Sequence, residues 1–202
     1  ITFYSYRDGQ ADVWIMNSDG TALTNLTNQP EIFDAWPSWS PDGEWIFFGS
    51  TRDHDQAEIY KINIHTLEVV RLTFNEDLDG RPKVSPDGCH FVSFYRIPGQ
   101  PADIRVYSLM DGSFSQFGNP MSSDYQASWM PKGNRVIWSS WMDEGSLEIV
   151  SARIDGSDFR VETHTGLNKY YPRSSPDGQY IAFPASVNNE YGGDEIFVYH
   201  RA

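Results

Sequence analysis

The chain has 202 residues, with 15 basic against 28 acidic side chains and a formal net charge of −13. Hydrophobic residues make up 39% and aromatic residues 15%, too rich a mixture for a disordered acidic tail. No basic stripe is present to follow a nucleic-acid backbone or an anionic membrane surface, and no apolar run approaches the ~20 residues of a spanning helix, so neither nucleic acid nor membrane insertion is expected.

In chain order the first predicted strand is Ile1–Ser5, and a loop at Arg7–Asp12 leads into Val13–Met16. Asp19-Gly20 reads as a tight hairpin. A short strand, Pro37-Ser38-Trp39, meets the turn Ser40-Pro41-Asp42-Gly43, and the strands Trp45–Phe48, Glu58–Ile62 and Val69–Leu72 follow. The same order then recurs. Ser85-Pro86-Asp87-Gly88 precedes Phe91–Phe94, Ile104–Tyr107 and Phe114–Phe117. Met130-Pro131-Lys132-Gly133 precedes Val136–Trp138, Glu148–Val150 and Phe159–Val161. Ser175-Pro176-Asp177-Gly178 precedes Tyr180–Phe183 and Glu195–Tyr199. β-branched and aromatic enrichment between turn residues favours strand, and no stretch of ten residues has helical periodicity. In the turns Pro presets φ, Asp caps the local backbone and Gly supplies a positive φ.

The turns start at 40, 85, 130 and 175, a constant step of 45 residues. Other columns keep this step: Pro37, Pro82, Ala127 and Pro172; Asp34, Asp79, Asp124 and Lys169; Trp36, Arg81, Gln126 and Tyr171. A repeated four-stranded antiparallel unit of this length is a propeller blade, because one such sheet is apolar on both faces and buries them only by stacking on its neighbours. The expected fold is all-β: a single propeller domain over 1–202, with repeats at about 1–39, 40–84, 85–129, 130–174 and 175–202. The phase of the repeat gives five blades with incomplete terminal ones. A fragment of a six-bladed ring is the alternative, and a monomer is favoured over an end-to-end dimer.

These residues resemble the TolB-like propellers, whose repeats carry Trp-Ser-Pro-Asp-Gly, an Ile-Ala-Phe-like strand, a Ser-x-Arg-Asp-Gly loop, an Ile-Tyr-Val-like strand and a closing Leu-Thr. The matching residues are Trp39–Gly43, Ile181-Ala182-Phe183, Ser5-Tyr6-Arg7-Asp8-Gly9, Val13–Met16 and Leu72-Thr73. Met130-Pro131-Lys132-Gly133 and Arg52-Asp53-His54-Asp55 depart from that pattern. The resemblance implies a non-catalytic scaffold that presents one loop face to a protein or peptide, in the periplasm or outside the cell. The chain's acidity favours a basic or neutral partner.

Strand alternation puts the Pro-Asp-Gly turns on one face, and the longer second-to-third and blade-to-blade loops on the other, where binding is expected. Candidate binding residues at the channel mouth and on this face are Asp34, Trp36, Asp79, Arg81, Asp124, Gln126, Tyr171 and Trp141. Asp34, Asp79 and Asp124 are also the candidate ligands for a hard cation such as calcium, and two of them are candidate acid and base for glycoside cleavage. Against both stands a structural role, with these carboxylates bonded to backbone N–H groups. A carbohydrate-active enzyme or lectin at the acidic channel mouth is thus the alternative function, with the surface aromatics Trp36, Tyr125, Trp141, Tyr170 and Tyr191 able to stack on a glycan. No nucleophile elbow, phosphate loop or zinc spacing is present, so no cofactor is expected. The one cysteine, Cys89, excludes an internal disulfide and reads as a half-buried structural thiol.

Overall fold

The computed structural model describes residues 1–117, 123–142, 145–186 and 194–201. It holds five antiparallel sheets in chain order, and no helix long and apolar enough to cross a membrane occurs among the described residues. Sheet one contains β1 (Thr2–Ser5), β2 (Asp12–Ile15) and β3 (Thr24–Asn25). Sheet two contains β4 (Asp34–Trp39), β5 (Trp45–Ser50), β6 (Glu58–Asn63) and β7 (Val69–Arg71). Sheet three contains β8 (Leu78–Val84), β9 (His90–Arg96), β10 (Asp103–Ser108) and β11 (Phe114–Phe117). Sheet four contains β12 (Asp124–Trp129), β13 (Arg135–Trp141), β14 (Leu147–Arg153) and β15 (Arg160–Val161), and sheet five β16 (Arg173–Ser174), β17 (Tyr180–Ser186) and β18 (Asp194–His200). Each sheet is a meander whose strands pair in sequence order, as a propeller blade requires. Among the described residues the five blades have three, four, four, four and three strands.

Alternation along each second strand supplies both faces of its blade. Ile46 and Phe48 point into one cluster with Val13, Leu26, Tyr60 and Ile62, between blades one and two. Phe47, one residue between them, points the other way and joins Ile59, Phe91 and Tyr107 between blades two and three. Trp138, fully buried with Val92, Ile104 and Val136, fills the third interface. Ile137 packs with Met130, Ile149, Ile181 and Phe183 in the fourth. Phe197 and Tyr199 pack against that fourth cluster, whereas Ile196 and Val198 on the opposite face of β18 are 73% and 66% exposed.

The Ser-Pro-Asp-Gly turn works through one hydroxyl. Ser40 Oγ donates to Asp42 Oδ1 at 2.5 Å and accepts the Trp45 backbone N–H at 3.0 Å, while the Gly43 N–H donates to the Ser40 carbonyl at 3.0 Å. Ser85 and Ser175 repeat the arrangement. Met130-Pro131-Lys132-Gly133 lacks the hydroxyl and keeps the backbone bonds, from the Gly133 N–H to the Met130 carbonyl and from the Met130 N–H to the Arg135 carbonyl, each at 2.9 Å, with Gly133 at φ 71°. Cys89 departs from the sequence expectation. It directly follows the Asp87-Gly88 turn and is exposed, because the first residue after the glycine projects from the turn rather than into an interface.

Candidate functional site

The three four-stranded blades share one irregularity in their innermost strands. Strand register shifts between Ala35 and Ser38 in β4, between Gly80 and Lys83 in β8, and between Tyr125 and Ser128 in β12. Each bulge holds a non-glycine residue in the left-handed region: Trp36 at φ 58°, Arg81 at 55° and Gln126 at 60°. Tyr171, ahead of β16, takes φ 48° at the same step of 45. Left-handed backbone costs an L-residue about 1 kcal/mol, so four equivalent occurrences mark a feature of the repeat and not an accident of one loop.

These four residues line one axial pocket of about 330 Å³. Lys83 and Arg173, each two residues further along their strands, line it as well, and Thr2, Phe3 and Tyr4 of β1 line it from blade one. Trp36 is held edge-on by Phe33 at 5.4 Å and Phe94 at 6.2 Å. It lies over two glycines: a Cβ on Gly80 would come within 2.8 Å of its ring, and one on Gly49 within 2.9 Å. Glycine is used at these two places for space. Arg81 covers the Trp36 ring at 5.6 Å, and the Tyr171 backbone N–H donates to Gln126 Oε1 at 2.9 Å.

The carboxylates of the neighbouring column are elsewhere. Asp34, Asp79 and Asp124 are fully buried and do not line the pocket. Their backbone N–H groups cross to the preceding blade, donating to the carbonyls of Ala11, Ala57 and Ala102 at 2.7–2.8 Å. Lys169 does the same to Leu147 at 3.2 Å. These bonds reach the residue just before Asp12, Glu58, Asp103 or Glu148, the acid that opens or nearly opens β2, β6, β10 or β14 of the preceding blade.

Each junction handles its charges differently. At the first, the Arg52 guanidinium meets both oxygens of Asp34 at 3.3 Å, and Asn25 and Thr27 donate to Asp12. At the second, Arg71 pairs with Glu58 at 3.3 Å, and Asn75 Nδ2 donates to Asp79 at 2.7 Å. Burial, reinforced by the Glu58 charge, pushes the Asp79 carboxyl up to about 7. At the third, Asp103 accepts from the Ile104 N–H, Tyr95 and Gln116, while neither oxygen of Asp124 has a hydrogen-bond partner among the described residues. Burial and then the Asp103 charge raise the Asp124 carboxyl. At the fourth, Lys169 Nζ sits 2.8 Å from Glu148. Although burial opposes it, Lys169 and Thr163 hold the Glu148 carboxyl below its ordinary value. Among the described residues no three His, Cys, Asp or Glu side chains converge as a metal site.

Of the sequence candidates, Trp36, Arg81, Gln126 and Tyr171 therefore come together, and the three aspartates do not join them. Trp141, at the end of β13 and 38% exposed, is also outside the pocket lining. Tyr191 lies outside the described residues. Sequence reasoning missed Lys83 and Arg173. Their signal was a further column at the same step, Ser38, Lys83, Ser128 and Arg173.

The family model described as the TolB beta propeller domain matches residues 1–101, half of the chain. An uncharacterized protein of Agrobacterium fabrum is 32% identical over 149 residues, covering 68% of this chain and 50% of its own length. The Tol-Pal system protein TolB of Alcanivorax borkumensis is 36% identical over 74 residues, covering 37% of this chain and 17% of its own. The chain thus spans half or less of the curated relatives it matches. Among solved structures, TolB from Acinetobacter baumannii superposes with a TM-score of 0.79 at 20% identity, over 98% of this chain and 48% of that one. An oligogalacturonate lyase from Vibrio parahaemolyticus superposes at 0.68 with 15% identity, over 99% and 59%. At those identities the superpositions speak to the fold alone, whereas the family match reaches the sequence itself: the chain belongs to the TolB β-propeller domain family.

Proposed function

We propose that this propeller is a non-catalytic binding module that receives a protein or peptide at the mouth of its axial pocket. The observation that carries the reading is the column Trp36, Arg81, Gln126 and Tyr171, four left-handed residues one repeat apart around a single recess. Strain held at equivalent positions of a rigid scaffold fits a surface that must present particular side chains. An aromatic pair with an arginine is also the composition of an interface anchor. Acid–base cleavage of a glycoside is less well served, because the three carboxylates of the adjacent column, at the start of the inner strands, are fully buried. The names of the TolB relatives place those proteins in the Tol-Pal system, and by that kinship we assign this chain to the periplasm or the extracellular space.

The test is selection from a random peptide display library against the whole chain. Peptides that enrich, bind the native protein and lose about tenfold or more in affinity for Trp36→Ala or Tyr171→Ala support the reading. No enrichment, or peptides that bind both variants as they bind the native protein, overturns it.

A further inference from the structure

The axial pocket has a sign opposite to that of the chain around it. With 28 acidic side chains to 15 basic ones, any cation has an excess of carboxylates available. Among the described residues eight basic side chains find an acidic partner, Arg52, Arg71, Arg105 and Lys169 among them. Arg81, Lys83 and Arg173 make no ion pair among the described residues, yet they share one cavity whose lining contains no Asp or Glu. Arg81 has only the Trp36 ring beneath it, and Arg173 donates to the Pro172 carbonyl beside it at 3.0 Å. They come from strands in two different blades, so sequence neighbourhood alone does not explain the convergence. The nearest inner-strand acids do not cancel them. Asp34 is neutralised by Arg52, and Asp79 is buried where its carboxyl holds its proton to about 7.

We propose that the axial pocket is a carboxylate-binding site. Arg81 and Arg173 offer guanidinium forks that match a planar carboxylate, and Lys83 adds a point charge in the same lining. Trp36, Phe3 and Tyr171 supply flat apolar walls for the frame that carries the acid groups. A volume of about 330 Å³ suits a compact organic acid or one or two acidic side chains of a peptide, not a folded domain. Because the whole chain is anionic, attraction operates only within roughly a Debye length, about 8–10 Å, of the cations. Selectivity therefore comes from the pocket and not from long-range steering.

Lys83 provides an independent readout. Burial lowers its ammonium pKa to about 8, and the charges of Arg173 and Arg81 contribute. The other titratable groups lining the cavity are Tyr4 and Tyr171. A bound carboxylate favours the charged form of Lys83, so binding near pH 8 takes up protons and affinity falls as pH rises through that value.

The inference rests on the binding reading above and adds its chemistry. The experiment is calorimetric titration of the whole chain with citrate, and separately with a blocked tetraglutamate peptide, using tetraglutamine as the neutral control. Citrate and tetraglutamate stand for the two sources of the acid, a free organic acid and an acidic chain segment, and binding of either supports the proposal. The expected result is saturable binding with proton uptake at pH 8. Arg81→Gln and Arg173→Gln should each weaken it about tenfold or more. Lys132→Gln, on the opposite face, leaves it unchanged, and Lys83→Arg keeps binding while losing the proton uptake. Circular dichroism verifies that each variant is folded. No binding of either acid up to about 10 mM, or equal binding by tetraglutamine or by the arginine variants, overturns the proposal. If the acids fail while display-selected peptides still depend on Trp36, the anion chemistry is wrong and the binding reading stands; if both fail, both are wrong.

Discussion

Gln126 and Tyr171 lie one repeat apart, both in the left-handed region, and the side-chain carbonyl of the first accepts the backbone N–H of the second at 2.9 Å. The bond runs between the inner edges of two adjacent blades and fixes one side of the pocket mouth. Arg81, at the equivalent place in the preceding blade, makes no such bond and only covers Trp36.

That difference separates two glycine substitutions. Arg81→Gly relieves a left-handed residue, worth about 1 kcal/mol, against a similar entropic cost in the unfolded chain. Stability by urea titration is expected within about 1 kcal/mol of the native protein, with ligand binding lost. Gln126→Gly relieves the same strain but removes a hydrogen bond of about 1 kcal/mol, so it is expected to be the less stable of the two. Equal stabilities would mean that the Gln126–Tyr171 bond contributes nothing.

Gly80→Ala tests the space around Trp36. The added Cβ would lie 2.5 Å from Phe94 and 2.8 Å from Trp36. Overpacking of this kind costs about 1–3 kcal/mol. The expected outcome is a lower denaturation midpoint, partly restored in the double variant Gly80→Ala with Phe94→Leu. A midpoint unchanged by Gly80→Ala would show that the ring moves aside freely.

Asp79 gives a pH dependence of a definite sign. Its folded pKa of about 7 is above the unfolded value near 3.9, so the folded state binds the extra proton. Folding carries no penalty from this group below pH ~4, a growing one between ~4 and ~7, and the full one above. Asp79→Asn removes the charge, so its stability relative to the native protein should rise with pH across that window by on the order of 4 kcal/mol. A difference that stays flat from pH 4 to pH 8 would show that the carboxyl titrates normally.

At the fourth junction Lys169 stands where the other junctions have aspartate. Lys169→Met leaves Glu148 buried without its ion partner, a loss of about 3 kcal/mol or more. Adding Glu148→Gln removes the orphaned charge, and the double variant is expected to recover much of that loss. Additive effects in the double-mutant cycle would show that the two side chains are not coupled.

Most of the architecture is legible in the sequence, and the reason is the repeat. Pro-Asp-Gly and Asp-Gly turns at a constant step fix where strands begin, and Ile46-Phe47-Phe48 is apolar at every position because both of its faces are buried. The site is legible only in part. Strict alternation would put Asp34 and Trp36 on one face of β4, and so both at the channel mouth. The bulge between Ala35 and Ser38 breaks that alternation at Trp36, leaving Trp36 in the pocket lining and Asp34 buried beside Arg52. A bulge carried by tryptophan, arginine or glutamine has no glycine to announce it. The burial of the aspartates therefore emerges only from the folded backbone, whereas Lys83 and Arg173 occupy a column of the repeat, with Ser38 and Ser128, whose place in the lining the bulge sets.

The central claim, that ligands enter through the left-handed column at the axial pocket, is tested most directly by amide NMR of the isotopically labelled chain titrated with a display-selected peptide. The account predicts that the Trp36, Gly80, Arg81 and Tyr171 amides and the Trp36 indole shift together, with one affinity. Shifts confined to the turn glycines Gly43, Gly88, Gly133 and Gly178 on the opposite face would contradict it.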